Sequence, residues 1–411
     1  MPKKILIIGT YDTKSDELRY IENCITAQGG IPVSMDVSVM GDPSTPVDHN
    51  KHSVAKEANV SIAQVIDSGD ENSAMQLMAK GASELTRKLY SQRAFDGMIA
   101  LGGTMGTDLA LDCASVLPMG VPKYIVSTVS FSPIIPTERL AADIQMILWA
   151  GGLYGLNSVC KSSLSQAAGA VLGATNAVEP PSHKKPLIGM MSLGKSCLSY
   201  MVSLKPALEK RGFEVAVFHA TGMGGRAFES LAAEGAFAAV MDFALPELGN
   251  LLNHSPINAG ADRLTNAGNA GIPQIVAPGC LDLIDFQTWQ PLPEKYKDRP
   301  YHAHNRLICS VTLTQEERRQ SAQEIGTRLS KAKAPAQFIM PLKGIEEWDR
   351  EGADAHDPEG LTAFVDEIRS SIKDPVTYTE IDAHINDAEF SNLVLKIFDE
   401  WVASGVIRTS I

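Results

Sequence analysis

The feature that most constrains this chain is a repeated unit made of a short apolar run, a glycine-containing turn and an amphipathic segment. Ile5–Ile8 is such a run, and Gly9 follows it. Leu18, Ile21 and Ile25 then recur at helical spacing. Strand, turn and helix in repeated succession predict a parallel sheet with helices on both faces, because parallel strands must be joined by crossover connections. We therefore expect an α/β fold.

The same unit restarts after a proline-rich stretch in the middle of the chain. Residues 177–186 contain three prolines around a polar run, a composition typical of a linker. Leu187–Met191 then begins a second series of apolar runs and helices. Because the 411 residues exceed the usual size of one domain, we predict two tandem doubly wound, Rossmann-like parallel-sheet domains. Their predicted bounds are 1–178 and 186–411, with a linker at 179–185.

The overall charge argues against a protein that binds nucleic acid. The net charge is −12, whereas binding to a phosphate backbone depends on clustered Lys and Arg side chains. No run of about 18 uncharged apolar residues marks a membrane span, and the six cysteines show no Cys-x-x-Cys spacing. We therefore expect a cytoplasmic protein with reduced thiols and with neither nucleic acid nor a membrane as partner.

A long polar segment, residues 40–59, follows the second predicted strand. Its glycine, prolines, aspartates and asparagines are typical of a loop. Long loops in compact domains are often functional. We therefore interpret this segment as a loop and as a candidate cover for a site.

Two turns in the first half have the composition of a phosphate cradle. Each joins an apolar strand to a helix, whose first main-chain N–H groups attract anions. Glycine lets an anion approach the main chain closely, while threonine hydroxyls add donors or a magnesium contact. The alternative is a turn that is merely well capped, with a capping box from Thr13 to Asp16 and with Lys14 in solvent. The predicted cofactor-binding residues are Gly9, Thr10, Asp12, Thr13, Lys14, Gly102, Gly103, Thr104, Gly106 and Thr107.

A third glycine-rich turn, in the second half, contains a cation. It runs from His219 to Arg226, directly after the apolar strand Val215–His219. An arginine there suits a bidentate phosphate or carboxylate, and a histidine at a strand end is a candidate general acid or base. The alternative is a histidine that only hydrogen-bonds the loop. The predicted substrate-binding residues are Gly222, Gly224, Gly225 and Arg226.

Two later segments add candidates for chemistry. Asp282 follows the predicted strand Ile272–Ala277. His302 and His304 are two positions apart and would point to one side of an extended segment. Together these three residues have the donor types of a metal site, although the histidines lack the spacing of a zinc signature. A polar loop is the alternative, and Cys280 as a nucleophile beside His219 is a weaker one. The predicted catalytic residues are His219, Asp282 and His304, and no metal ligands are assigned.

The ordered set of these turns resembles one family. Gly9–Lys14, Gly102–Thr107, His219–Gly225 and Ala277–Asp282 occur together in this order, and the chain resembles the tomato mosaic virus resistance protein-like ATP-binding family over nearly its whole length. The resemblance implies two α/β subdomains, ATP with Mg²⁺ as ligand, and a homodimer.

Three functional hypotheses follow from the residues and the resemblance. The first is an ATP-dependent enzyme that acts on a small acidic metabolite, with the nucleotide in the first half and the metabolite in a cleft between the domains. The second is a non-enzymatic ATP-binding regulator or dimerisation module, which the missing catalytic signature favours. The third is a metal-dependent lyase or hydrolase centred on the second domain.

Overall fold

The chain divides into two compact units, Met1–Pro181 and Ser182–Ile411. The computed structural model describes residues 1–181 and 184–409. The predicted linker at 179–185 includes Ser182 and His183, which lie outside the described residues, so its structure is not tested. Each unit contains a parallel sheet of its own, with helices alternating along the chain.

The first unit is built on a five-stranded sheet in the order β2-β1-β3-β4-β5, with every pairing parallel. Its strands are β1 (Lys4–Gly9), β2 (Ile31–Asp36), β3 (Gly97–Gly102), β4 (Lys123–Ser127) and β5 (Ile144–Leu148). Its helices are α1 (Ser15–Ala27), α2 (Lys51–Glu57), α3 (Ile62–Ile66), α4 (Glu71–Ser91), α5 (Thr104–Ser115) and α6 (Ser158–Ala177).

The helices of the first unit cover both faces of the sheet because the side chains of β1 alternate. Ile5 and Ile7 pack with α1 and α6 on one face. Leu6 and Ile8 pack with α4 and α5 on the other. The helices that follow the neighbouring strands β1 and β3 therefore leave the sheet on opposite faces. In an open α/β sheet this switch point is where a crevice forms outside the carboxyl ends of the strands.

The second unit repeats this topology on a six-stranded parallel sheet in the order β14-β13-β9-β8-β6-β7. Its strands are β6 (Leu187–Ser192), β7 (Glu214–His219), β8 (Ala239–Asp242), β9 (Gln274–Val276), β13 (Ala336–Pro341) and β14 (Thr377–Ile381). Its helices are α7 (Ser199–Lys210), α8 (Met223–Ala233), α9 (Pro246–Leu252), α10 (Asn266–Ala270), α11 (Gln315–Leu329), α12 (Pro358–Ser371) and α13 (Ala388–Ala403).

The second sheet also has a switch point, between β6 and β8. Helix α7, which follows β6, packs with α13 in one core cluster. Helix α9, which follows β8, packs with α11 and α12 in another. Both parallel sheets are thus doubly wound, and the predicted fold class is confirmed.

Three local predictions differ from the structure. Residues 40–59 are not one loop, because Asn50 accepts the Ser53 N–H and starts α2 at Lys51. No capping box forms at Thr13, since α1 begins after Lys14 without a side-chain cap. The segment that contains His302 is part of a small antiparallel sheet, whereas a polar loop was the alternative to a metal site there. This sheet has the order β10-β12-β11, from β10 (Leu283–Gln287), β11 (Tyr301–Ala303) and β12 (Ile308–Thr312).

Within residues 1–181 and 184–409, no helix combines the length and the apolar character needed to cross a bilayer.

Candidate functional site

The two glycine-containing turns of the first unit lie side by side at the carboxyl edge of its sheet. Ile8 is paired with Ala100 in the parallel ladder of β1 and β3. The turns that leave Gly9 and Gly102 therefore flank the switch point of this sheet. The structure thus brings together two segments that lie about ninety residues apart in sequence, where ligands bind in folds of this kind.

Helix α5 presents uncapped main-chain donors at this edge. Gly103 occupies the N-cap position, and no side chain accepts a hydrogen bond from the first turn. A Cβ atom at Gly103 would meet nothing closer than the Thr128 Oγ1 atom at 3.8 Å, and one at Gly106 nothing closer than 3.5 Å. Neither packing nor a positive φ therefore requires glycine at these two positions. The open approach to the main chain is what an anion needs.

The other residues of this turn have structural roles. A Cβ atom at Gly102 would lie 2.6 Å from the Gly106 Cα atom, so glycine there allows strand and helix to meet closely. The Thr107 hydroxyl donates to the Gly103 carbonyl at 2.6 Å and lies 2.6 Å from the Ser127 Oγ atom. Thr107 is buried, whereas Thr104 is exposed. The geometry therefore favours Thr104 as a hydroxyl for a ligand and Thr107 as a support of the turn.

The first turn is held mainly by contacts within the protein. The Asp12 carboxylate accepts from the Ser38 hydroxyl at 2.9 Å and from the Gly41 N–H at 3.1 Å. The hydroxyls of Thr10 and Thr13 lie 3.0 Å apart. A Cβ atom at Gly9 would come within 2.8 Å of the Leu18 side chain. These contacts fix the turn and leave its hydroxyl and carboxylate groups engaged with each other or with residues 38–41.

Lys14 is a cation of this edge. It occupies the N-cap position of α1, and its side chain makes no ion pair within the described parts of the chain. A lysine without a carboxylate partner beside an uncapped helix terminus is chemically suited to a phosphate.

The glycine-rich turn of the second unit already holds an anion that the chain itself supplies. The Glu247 Oε1 atom accepts the N–H groups of Gly222 at 2.6 Å and Gly225 at 3.1 Å. A Cβ atom at Gly225 would lie 1.8 Å from that carboxylate, and one at Gly224 would lie 1.9 Å from the His219 carbonyl oxygen. Glycine is therefore needed here for close packing against Glu247 and the main chain, and these contacts favour a structural role for the turn.

Arg226 and Arg263 complete this internal network. Arg226 is buried and forms a bidentate pair with the Asp262 carboxylate. Arg263 is fully buried and pairs with Asp242, Glu229 and Glu247. Burial raises the pKa of both Glu229 and Glu247 to about 7, while the Arg263 charge opposes that rise. The predicted substrate cation, Arg226, is thus engaged within the fold.

A cavity of about 190 Å³ lies at the switch point of the second sheet. Residues at or after the ends of five strands of the parallel sheet contribute to it, with Trp348 following β13, and the antiparallel sheet supplies another wall. The parallel-sheet side is lined by Leu193, Gly194, Lys195, Ser196, His219, Thr221, Pro246 and Cys280. The remaining lining residues are Leu283, Asp285, His304, Asn305, Ile308, Ser310 and Trp348.

The structure therefore brings His219 and His304 together at one cavity. Partial burial and then the nearby His304 lower the pKa of His219, which favours its neutral imidazole near neutral pH. Asp285 lies on the same wall, where its carboxylate accepts from the Ser310 hydroxyl at 2.6 Å and the Asn250 amide at 3.0 Å. Burial raises the pKa of Asp285, and the nearby His304 opposes that rise.

Lys195 is one of the cavity residues that the sequence patterns did not indicate. It lies in the turn after β6, between Gly194 and Ser196. Within the described residues, the side chains of Lys195, His219 and His304 form no ion pair or hydrogen bond with other protein groups. The sequence signal for it is Gly194 followed by Lys195 just after an apolar strand. This pattern is weaker than that of the turns with three glycines, which the sequence analysis took as the binding sites.

Asp282, the third predicted catalytic residue, does not line this cavity. It is buried, and neither of its carboxylate oxygens has a hydrogen-bond partner in the described structure. Burial raises the pKa of Asp282 to about 7, and the nearby Arg318 opposes that rise. Burial and then Asp282 itself raise the pKa of Glu346. The two acids form a buried carboxyl cluster next to the cavity residue Cys280, whose pKa they also raise.

Cys280 has the properties of a protonated thiol. Its Sγ atom lies 3.2 Å from the Cys197 Sγ atom, and both residues are buried. Burial and then the Cys197 thiol raise the pKa of Cys280, which opposes the thiolate that a nucleophile requires. The contacts therefore favour packing over covalent chemistry for this residue.

His302, one of the two histidines of the predicted metal site, is engaged with neighbouring side chains. The His302 ring stacks on Trp348 with centroids 3.8 Å apart, and its Nδ1 atom lies 3.1 Å from an Asp354 carboxylate oxygen. Across residues 1–181 and 184–409, no group of three or more His, Cys, Asp or Glu side chains is arranged to hold a metal ion. His302, His304 and Asp282 thus do not form such a group.

Comparison with known proteins identifies relatives over nearly the whole chain. The sequence profiles described as "Uncharacterised protein family (UPF0261)" match residues 3–180 with the N-terminal domain and 185–402 with the C-terminal domain. A UPF0261 protein of Brucella melitensis is 55% identical over 404 residues, covering 98% of this chain and 97% of its own. One of Clostridium tetani is 35% identical over 398 residues, covering 96% and 98%. The ToMV resistance protein Tm-1(GCR237) of Solanum lycopersicum is 28% identical over 430 residues, covering 97% of this chain and 55% of its own.

Proposed function

Since this chain belongs to the uncharacterised protein family UPF0261, its function has to be argued from its own residues, and we propose that it binds ATP with Mg²⁺. The proposed site is the carboxyl edge of the first sheet, around residues 102–106. The observation that carries the proposal is the uncapped start of α5 at the switch point between β1 and β3, where Gly103 leaves the main chain open.

The residues at this edge fit the phosphate groups of a nucleotide. The first N–H groups of α5 would donate to phosphate oxygens, with the helix dipole adding favourable potential. Lys14, at the start of α1, would contribute a charge from the adjacent strand end. The exposed Thr104 hydroxyl would be the contact for Mg²⁺, since the Thr107 hydroxyl is engaged with Gly103 and Ser127. Bound Mg²⁺ supplies neutralisation of the phosphate charge.

Calorimetric titration with ATP and Mg²⁺ tests this site through Gly103→Val. A valine side chain would fill the space in front of the α5 donors, so we expect at least about a tenfold loss of affinity. The matched control is Gly173→Val in α6, where a Cβ atom would also meet nothing within 4 Å. This control should bind as the unchanged protein does. Equal affinities in all three proteins, or no binding to any of them at millimolar ATP, would refute the site.

The proposal extends to an enzyme because the second unit contains a cavity with His219 and His304. In this form the protein uses ATP and acts on a small acidic metabolite. The competing function is a regulator that binds ATP without turnover. ATP consumption in the presence of candidate acids separates the two, since a regulator would bind nucleotide while no acid stimulated its hydrolysis. The cytoplasmic location remains a prediction from the cysteine pattern.

A further inference from the structure

The cavity of the second unit is lined by one lysine and two histidines that form no ion pair within the described protein. Lys195, His219 and His304 all line it, and none has an ion pair or hydrogen bond with the described protein. In a chain with a net charge of −12, the Lys195 ammonium gives this concave surface a positive charge, and the two imidazoles add hydrogen-bond donors for an anion. We propose that this cavity binds a small dicarboxylate, anchored by Lys195 and His304 and facing the imidazole of His219.

The size of the cavity restricts the ligand. Its volume of about 190 Å³ is below the roughly 300–1,000 Å³ that is typical of pockets for drug-sized molecules. A nucleotide is therefore too large, whereas a short-chain acid with two carboxylates is of suitable size. Apolar lining from Leu193, Leu283 and Ile308 would contact the carbon chain between the charged ends.

The arrangement of polar groups favours charges at both ends of the ligand. Lys195 comes from the turn after β6 in the parallel sheet, and His304 comes from the loop between β11 and β12 in the antiparallel sheet. Asp285 is the acid of this cavity, but its carboxylate is already held by Ser310 and Asn250.

The position in the fold supports a ligand site independently of charge. The cavity lies where β6 and β8 are neighbours and the helices that follow them leave the sheet on opposite faces. Ligands of open α/β sheets bind at this place. The nearby glycine-rich turn cannot serve instead, because Glu247 already occupies its donors.

This inference specifies the acidic substrate class of the proposed enzyme, and it rests on that proposal only for the reaction, not for binding. Trp348 lines the cavity, so its fluorescence provides a readout that does not depend on activity. We expect malonate and succinate to change the emission saturably, with affinities in the range of about 10 µM to 10 mM. A Trp348→Phe variant should lose the change, which assigns the signal. The neutral diamide of malonic acid should produce none.

Lys195→Met is the decisive variant. Loss of the ammonium group should weaken malonate binding at least about tenfold, while Lys195→Arg should retain part of the affinity. Lys210→Met is the matched control, because Lys210 ends α7 and lies outside the cavity lining. It should bind malonate as the unchanged protein does. Circular dichroism establishes that each variant is folded, and the arginine variant covers the case in which the methionine variant is not.

ATP binding measured on the same preparations separates this inference from the nucleotide proposal. Lys195→Met should leave ATP affinity unchanged, and Gly103→Val should leave malonate binding unchanged. The inference is overturned if malonate and succinate produce no saturable signal. It is also overturned if Lys195→Met binds them as tightly as Lys210→Met does, or if chloride at equal ionic strength produces the same change. Failure of ATP binding alone would leave the dicarboxylate site intact.

Discussion

At the scale of single residues, several polar and charged side chains form contacts within the fold. Arg226 was a reasonable anion ligand by residue type, yet Asp262 holds it from 36 positions away. Asp12 and Thr107 likewise meet partners in distant segments. His219 and His304 do reach one cavity, although His219 ends a strand of the parallel sheet and His304 follows a strand of the antiparallel sheet. Hydrogen bonds and ion pairs between distant segments determine which of these side chains are available to a ligand. A local sequence pattern does not show such contacts.

Asp282 provides a test of stability against pH. Its raised pKa means that the folded state binds the proton more tightly than the unfolded state. The stability that it contributes is therefore lost as pH rises from the ordinary value of 3.8 to about 7. Asp282→Asn removes this loss, so the variant should gain about 1–3 kcal/mol relative to the unchanged protein between pH 4 and pH 8.

Denaturant unfolding at several pH values measures this difference. Glu229, Glu247 and other acids contribute equally to both proteins, so the comparison isolates Asp282 and its neighbour Glu346. Asp298→Asn is the control, because Asp298 is exposed and its substitution should leave the pH profile unchanged. A difference between Asp282→Asn and the unchanged protein that stays constant with pH would contradict the expected titration.

At the scale of elements, periodicity predicted most strands and helices because their buried faces follow simple repeats. The apolar run Leu187–Met191, for example, lies in β6, Leu187–Ser192. The antiparallel sheet was missed, since β11 has only three residues and its partners are separated by polar turns. This sheet forms one wall of the second-unit cavity, so the site could not be assembled from the sequence alone. The α2 helix was missed because its seven residues lie in a segment rich in loop-forming residues.

The start of α5 offers a prediction at this scale that separates ligand binding from folding. Gly103→Asp would place a carboxylate at the N-cap, where it would accept from the first N–H groups of the helix. Stability should stay the same or rise by a few tenths of a kcal/mol. ATP binding should be lost, because the aspartate both uses the donors and repels phosphate.

Thermal unfolding and calorimetric titration on one preparation measure the two effects. Retained ATP affinity in a variant that is as stable as the unchanged protein would move the phosphate site away from α5.

At the scale of the whole molecule, the two units share one topology. If each is numbered by its own strands, the first sheet has the order 2-1-3-4-5 and the second 2-1-3-4-5-6. The sequence revealed the shared strand, turn and helix order but not the strand order, because lateral neighbours depend on which helix crosses which face. The switch points of the two sheets nevertheless differ. The first has the uncapped main-chain N–H groups of α5, and the second has the cavity lined by Lys195, His219 and His304.

The resemblance to the ATP-binding family predicts a homodimer, which analytical ultracentrifugation can measure. The chain has a mass of 44.1 kDa, so a dimer should sediment with twice that mass at micromolar concentration. Because a closed two-fold interface is self-complementary, the dimer should remain a single species as concentration rises. A mass equal to one chain throughout this range would refute the prediction.

The turn before α8 is an anion site that is filled by a side chain of the same protein, the Glu247 carboxylate. Two main-chain N–H groups and the Arg263 side chain bind this carboxylate. Because Glu247 is part of the chain, its effective concentration at the turn is of the order of millimolar or more. Dissolved metabolites at ordinary cellular levels are therefore poor competitors for those amides. A family member with a neutral side chain at this position would leave the same N–H groups open to anions from solution. One substitution would then convert a contact that stabilises the fold into an anion-binding site of the second unit.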